Sequence, residues 1–173
     1  MIEVRQAGIG DAEGIARVHI SSWQTSYRGI VPDAVLDNLS EERRLNFWRE
    51  TLKVSETFRV CFVAVAGDEI VGFASGGPAR ELEGYDGELY AIYLLEAFKR
   101  RGIGERLFAA VREALREAGY ETMMLWALKD NAAGRAFYEK LGGALAGEKV
   151  EMMGAFEAVE VAYGWGGWDT GTE

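Results

Sequence analysis

Hydrophobic and polar positions change period several times along the chain, and each change marks an element. Residues 2–7 alternate and predict a first strand. From Asp11 to about Tyr27, Ile15, His19, Trp23 and Tyr27 recur at every fourth position, the spacing of one helical face, until Gly29 and Pro32 interrupt it. Ser40, followed by Glu41 and Glu42, offers a capping hydroxyl and first-turn acids to a second helix, whose Leu45, Trp48 and Leu52 share a face. Residues 58–66 and 69–74 are mostly β-branched, aromatic or small, and Gly67-Asp68 between them suits the tight turn of an antiparallel hairpin. Residues 88–95 read as a central strand. Residues 102–118 carry the clearest helical stripe, Ile103, Leu107, Val111 and Leu115, with Glu105, Arg112, Glu113 and Arg116 outside it. Residues 122–128 predict a strand, 131–141 a short helix, and 144–152 and 156–165 two closing strands, with 166–173 left as a flexible tail. The order β-α-α-β-β-β-α-β-α-β-β predicts a mixed α/β (α+β) sheet domain and not a doubly wound one.

Composition narrows the classes. A chain of 173 residues falls in the range of one domain, 1–173, and 49% hydrophobic residues with two prolines describe an ordered globular protein. The single cysteine, Cys61, lies inside an apolar run, so there is no disulfide framework and no CxxC metal cluster, and a reduced, cytoplasmic setting is expected. No apolar run approaches the roughly 18 residues of a membrane span, and no basic start with an apolar core opens the chain. The net charge of −9 repels phosphate backbones and argues against general nucleic-acid binding. Against that acidic background Lys99, Arg100 and Arg101 form a run of three bases.

That run sits where a strand passes through a glycine turn straight into the amphipathic helix. Free amides at a helix start, the positive end of its dipole and nearby guanidinium groups make an anion site, and Gly102 and Gly104 let the backbone approach a phosphate. A P-loop would need Gly-Lys-Ser/Thr where the chain has Gly104-Glu105-Arg106, and a dinucleotide fingerprint would need a glycine where Leu107 stands. What remains is an acyl-CoA loop or a plain helix start with basic surface residues.

The segment Lys99-Arg100-Arg101-Gly102-Ile103-Gly104 is similar to the pattern Gln/Arg-x-x-Gly-x-Gly/Ala, and Asn131-Ala132-Ala133-Gly134-Arg135-Ala136-Phe137-Tyr138-Glu139-Lys140-Leu141-Gly142 to Asn-x-x-Ala-x-x-Phe-Tyr-x-x-x-Gly. On these two blocks the chain, from about residue 2 to residue 165, resembles the GNAT superfamily of N-acetyltransferases. Lys99, Gly134 and Gly143 depart from it, standing where Gln or Arg, Ala and an aromatic are commoner.

The resemblance implies a mostly antiparallel sheet of about seven strands flanked by four helices. It also implies an enzyme that moves an acetyl group from acetyl-CoA to a primary amine through a tetrahedral intermediate, without a metal. The acceptor would belong to a small molecule or a peptide, and a homodimer is common in the family. In that reading Ile92, Tyr93 and Leu94 bind the pantetheine arm, residues Lys99, Arg100, Arg101, Gly102, Ile103, Gly104 and Glu105 the pyrophosphate, and Asn131 and Arg135 the pantetheine or phosphates. Tyr138 would protonate the departing sulfur and Glu88 would take the amine's proton. The acceptor would meet Trp23, Tyr27 and Arg28, with Trp48 beside them and Tyr163 and Trp165 opposite, although aromatic residues at helical spacing are more often core. His19 shares a helix face with Ile15 and Trp23, where packing is its expected role. The alternative from another class is a module that holds acyl-CoA as a sensor without turnover.

Overall fold

The computed structural model describes residues 1–168. Seven strands, β1 (Ile2–Gln6), β2 (Val60–Ala66), β3 (Glu69–Pro78), β4 (Gly87–Leu94), β5 (Met123–Leu128), β6 (Ala144–Met153) and β7 (Phe156–Trp165), form one sheet in the order β1-β2-β3-β4-β5-β7-β6. Only the β4–β5 pair is parallel. Five helices accompany it: α1 (Ala12–Ser26), α2 (Asp33–Asp37), α3 (Glu41–Thr51), α4 (Ile103–Glu117) and α5 (Ala132–Lys140). The mixed, mostly antiparallel seven-stranded sheet agrees with expectation.

The extra helix is α2. Gly29 and Pro32 predict an interruption, and Pro32 is instead the residue from which a five-residue helix starts, where a missing N–H costs nothing. A helix this short has too few positions to show a period. It is held by Leu36, which is fully buried, and by a bond from Gln24 Nε2 to Leu36 O at 3.1 Å.

The sheet is covered on both faces, because alternate residues of a strand point opposite ways. In β2, Val60 and Ala64 pack with α4, whereas Cys61 and Val63 pack with α1 and Trp48 of α3. The predicted α4 stripe, Ile103, Leu107, Val111 and Leu115, is buried throughout, and each such side chain contributes about 2 kcal/mol on removal from water. Past β7, Trp168 donates its indole N–H to Tyr120 O and lies beneath the Arg112 guanidinium. Of the expected flexible tail, residues 169–173 lie outside the described residues.

The middle of the sheet is where the ladder opens. β4 and β5 pair only at Gly87–Met123 and Glu88–Met124, and β5 then follows β7 for its whole length. Asp86 pins the closed end, its carboxylate accepting the Glu121 N–H (2.8 Å), the Thr122 N–H (2.8 Å) and the Thr122 hydroxyl (2.7 Å). On the other side of β4 the register shifts at Tyr90, since Gly76 faces Leu89 and Ser75 faces Ala91. Such a bulge bends its strand, here at the level where β5 departs.

Candidate active site

Two sets of residues meet at the open half of β4. The first lies towards α4. Leu95 donates its N–H to Val71 O at 2.9 Å, so the antiparallel alternation turns the N–H and C=O of Ile92 and Leu94 away from β3, and the bonds of Tyr93 towards it. The Leu94 carbonyl is taken by the Ser22 hydroxyl (3.0 Å); its N–H lies on the side from which β5 has withdrawn.

Beyond β4 the chain turns twice through left-handed backbone, at Arg100 (φ 60°) and Gly102 (φ 77°). The first helical bond of α4 runs from Arg106 N to Gly102 O, which leaves the amides of Ile103, Gly104 and Glu105 without an intrahelical acceptor. A Cβ at Gly102 would meet no atom within 4 Å, so this glycine serves its φ value. At Gly104 the reason differs from the expected approach to a phosphate. A Cβ there would stand 3.2 Å from the Phe137 ring, and the glycine lets α4 and α5 close on each other. Glu105 reinforces that contact through Lys140 at 2.8 Å. Lys99 is held by Ser26 Oγ (2.9 Å) and Glu96 (2.8 Å), and the Arg101 guanidinium lies 5.3 Å from the centre of the Phe98 ring.

On α5, Asn131 Oδ1 accepts the Gly134 N–H at 3.1 Å and caps the helix. Arg135 donates from Nε to the Tyr163 hydroxyl (2.9 Å) and from Nη1 to Lys129 O (3.1 Å), and Tyr163 donates to Glu139 (2.7 Å), so this arginine fastens α5 to β7. Tyr138 lies against the Phe137 and Tyr163 rings, and burial pushes its phenol well above the ordinary value of 10, so it keeps its proton at neutral pH.

The second set lines a cavity of about 280 Å³ bounded by the end of α1, β4, β5 and the β6–β7 hairpin. Its aromatic wall is Trp23, Tyr27, Tyr93 and Trp126; its charged wall is Arg80, Glu81, Glu88, Lys149, Glu151 and Glu160. Tyr27 and Tyr93 share a hydrogen bond between hydroxyls at 3.0 Å, and burial raises the pKa of both. Tyr93 also stacks on His19, ring centres 5.3 Å apart. Beneath it, Trp48 Nε1 donates to His19 Nδ1 at 3.1 Å, and burial, with Arg44 adding to it, lowers the histidine to about 3. His19 is therefore neutral and structural, and Trp48 is core, as aromatic spacing leads one to expect.

Two expectations for the acceptor side do not match the placement of the residues. Arg28 does not line the cavity; α2 presents Asp33 (3.2 Å) and Asp37 (2.9 Å) to it at the surface. Tyr163 and Trp165 face α5 instead, Trp165 donating to Leu141 O at 3.0 Å. The Trp165 ring fills the place beside Gly143, where a Cβ would come within 2.8 Å of it. Glu88, expected to take the amine's proton, lines the cavity at the closed end of β4, where it is buried and Arg80 occupies both its carboxylate oxygens.

With the geometry established, comparison with known proteins decides the family: the model of the acetyltransferase (GNAT) family matches residues 20–143. The chain belongs to the GNAT acetyltransferase family. It is similar to the N-acetyltransferase YuaI of Bacillus subtilis, 38% identical over 95% of this chain and 93% of the relative. It is also similar to the spermidine N(1)-acetyltransferase of Thermoplasma acidophilum, 25% identical over 82% of this chain and 87% of that one. Among solved structures, yncA of Salmonella typhimurium with its cofactor acetyl-CoA shares the fold, with a TM-score of 0.70, 17% identity and coverage of 100% and 98%. As a GNAT member the chain is an acyltransferase.

Of the residues expected on the acceptor side, Trp23 and Tyr27 line the cavity; Arg80, Glu81, Trp126, Lys149, Glu151 and Glu160, which were not expected, line it too. A signal was present for three of these. Lys149 and Glu151 stand two apart in β6 and so share a face, and Glu160 is the cross-strand partner of Lys149.

Proposed function

We propose that the protein transfers the acetyl group of acetyl-CoA to the primary amine of a small basic molecule or a peptide N-terminus, by direct attack. The observation that carries the reading is the opening of the sheet at β4. On one side stand the free amides of α4, and on the other a cavity whose aromatic wall includes Tyr93 of the same strand.

The residues fit the donor. The amides of Ile103, Gly104 and Glu105, with Arg100 and Arg101 beside them, suit a pyrophosphate, and Gly102 leaves clear space in front of it. The outward N–H and C=O of Ile92 and the N–H of Leu94 suit an amide-bearing chain laid along β4 like an added strand. Acetyl-CoA supplies the activated acyl group. In this reading the Leu94 N–H would bond the thioester oxygen, and the protonated phenol of Tyr138 would serve as the acid for the sulfur.

The acceptor side carries four carboxylates, Glu81, Glu88, Glu151 and Glu160, against Arg80 and Lys149, an excess that favours a cationic amine over an anion. The name of the Thermoplasma relative points the same way.

Calorimetry with acetyl-CoA, ATP and NAD in parallel, followed by thiol release from acetyl-CoA with a panel of amines, tests the reading. Binding of acetyl-CoA and release dependent on both amine and Tyr138 support it. Tight binding of ATP alone overturns it.

A further inference from the structure

A proton must leave the acceptor's ammonium group before its nitrogen can attack, and the cavity offers four carboxylates for the purpose. Glu88 is spent. Its Oε1 accepts from the Arg80 backbone N–H (3.1 Å) and Nε (3.4 Å), its Oε2 accepts from Arg80 Nη2 (2.7 Å), and its side chain is 2% exposed. Glu81 and Glu151 have more than half of their side-chain surface in solvent, at the rim. All four line the cavity, and Glu160 differs from the other three in being half-enclosed without a close partner: its side chain is 17% exposed, and its ionic partner, Lys149 Nζ, stands at 3.6 Å, outside hydrogen-bond distance.

Lys149 shows what this wall does with an ammonium group. Its Nζ is bonded to Glu81, stands 3.4 Å from Glu151 and 3.6 Å from Glu160, and sits 4.5 Å from the centre of the Trp126 ring. Carboxylates around an aromatic face make a cage for a cation. We propose that Glu160, and not Glu88, is the carboxylate that receives the acceptor's ammonium group in this cavity and takes its proton.

The inference rests on the acetyltransferase reading and adds the base to it. One proton passes from the ammonium nitrogen to a Glu160 oxygen and later to solvent. The neutral nitrogen adds to the acyl carbon to give a tetrahedral intermediate, and its collapse breaks the carbon–sulfur bond. Sulfur takes the proton of Tyr138, and the proton that the nitrogen sheds on acylation restores that phenol. The groups facing Glu160 are Lys149 and Glu151 of β6, Glu81 from the β3–β4 connection, Tyr27 of the segment after α1 and Tyr93 of β4; its neighbour on β5, Leu128, carries no charge. Burial raises the carboxyl above its ordinary value against the pull of Lys149, with Glu151 and Glu81 adding to the rise, and this moves the base towards the pH at which an amine substrate is handled.

The test measures kcat/KM against pH with spermidine and benzylamine as acceptors, in the wild type, E160Q and E160D, with acetyl-CoA affinity measured on each. The expected result is a loss of about 100-fold or more in kcat for E160Q, partial recovery in E160D, disappearance of the acid limb of the profile and unchanged acetyl-CoA affinity. E160Q with the wild-type rate and profile, or with a loss confined to KM, overturns the assignment and leaves the acetyltransferase reading standing. A wild type that neither binds acetyl-CoA nor releases thiol removes both.

Discussion

The proposed donor side and the proposed acceptor side of β4 are built in opposite ways. The donor side comes from a nearly continuous stretch: one strand, one turn, the start of α4 and, about thirty residues on, α5, with Gly104 and Phe137 locking the two helices together. Its chemistry resides largely in the backbone, in amides left free by a helix start and by a withdrawn strand. The acceptor cavity takes side chains from the end of α1, the β3–β4 connection, β4, β5, β6 and β7. Backbone chemistry suits a constant ligand, whereas walls of side chains can be exchanged without disturbing the scaffold.

The comparison breaks most visibly in acid. Folded His19, held near 3, stays neutral while the unfolded chain takes up a proton below its ordinary value of 6.5. Stability is therefore full above about pH 6.5 and falls as the pH drops, by up to ~1.4 kcal/mol per unit and roughly 4 to 5 kcal/mol by pH 3. Urea unfolding of the wild type and H19Q at pH 7 and pH 4 measures this. A shallower pH dependence in H19Q is expected, and because His19 underlies Tyr93, the acceptor aromatics should loosen before acetyl-CoA affinity falls.

The next largest effect separates chemistry from binding on the donor side. Tyr138→Phe should lower kcat about 100-fold, equivalent to about 2.7 kcal/mol, with acetyl-CoA affinity intact in calorimetry. Equal losses of both would make Tyr138 a packing residue. Gly104→Val should cost about 1 to 3 kcal/mol, because the new side chain meets Phe137, and at about 2 to 4 °C per kcal/mol the fall is readable as Tm. The smallest effect marks the boundary of the acceptor side. Arg28→Ala removes exposed, solvent-screened pairs with Asp33 and Asp37, and should leave both the Tm and the rate with every amine unchanged. A specific rise in KM for one amine would bring Arg28 back into the acceptor site.

Elements with a clear period were legible without the fold. The α4 stripe, the β2–β3 hairpin and the two motif blocks lie within short windows, where the spacing of apolar residues or glycines reports local geometry directly. The α2 helix was not legible, since five residues carry no period, and Arg28 was misplaced as a consequence. Glu88 shows a subtler limit. Its position at the start of β4 was readable, but its bonding to Arg80, eight residues earlier, depends on how the β3–β4 connection folds back.

The chain by itself determined the sheet-and-helix order, the glycine turn into α4 and the family, because these follow from neighbours in sequence. Tertiary structure alone decided that β5 leaves β4 after two pairs, and that a cavity lies between Tyr93 and the β6–β7 hairpin. These are contacts between residues tens of positions apart. Their geometry is set by twist, bulge and packing of the whole sheet, which no local window contains.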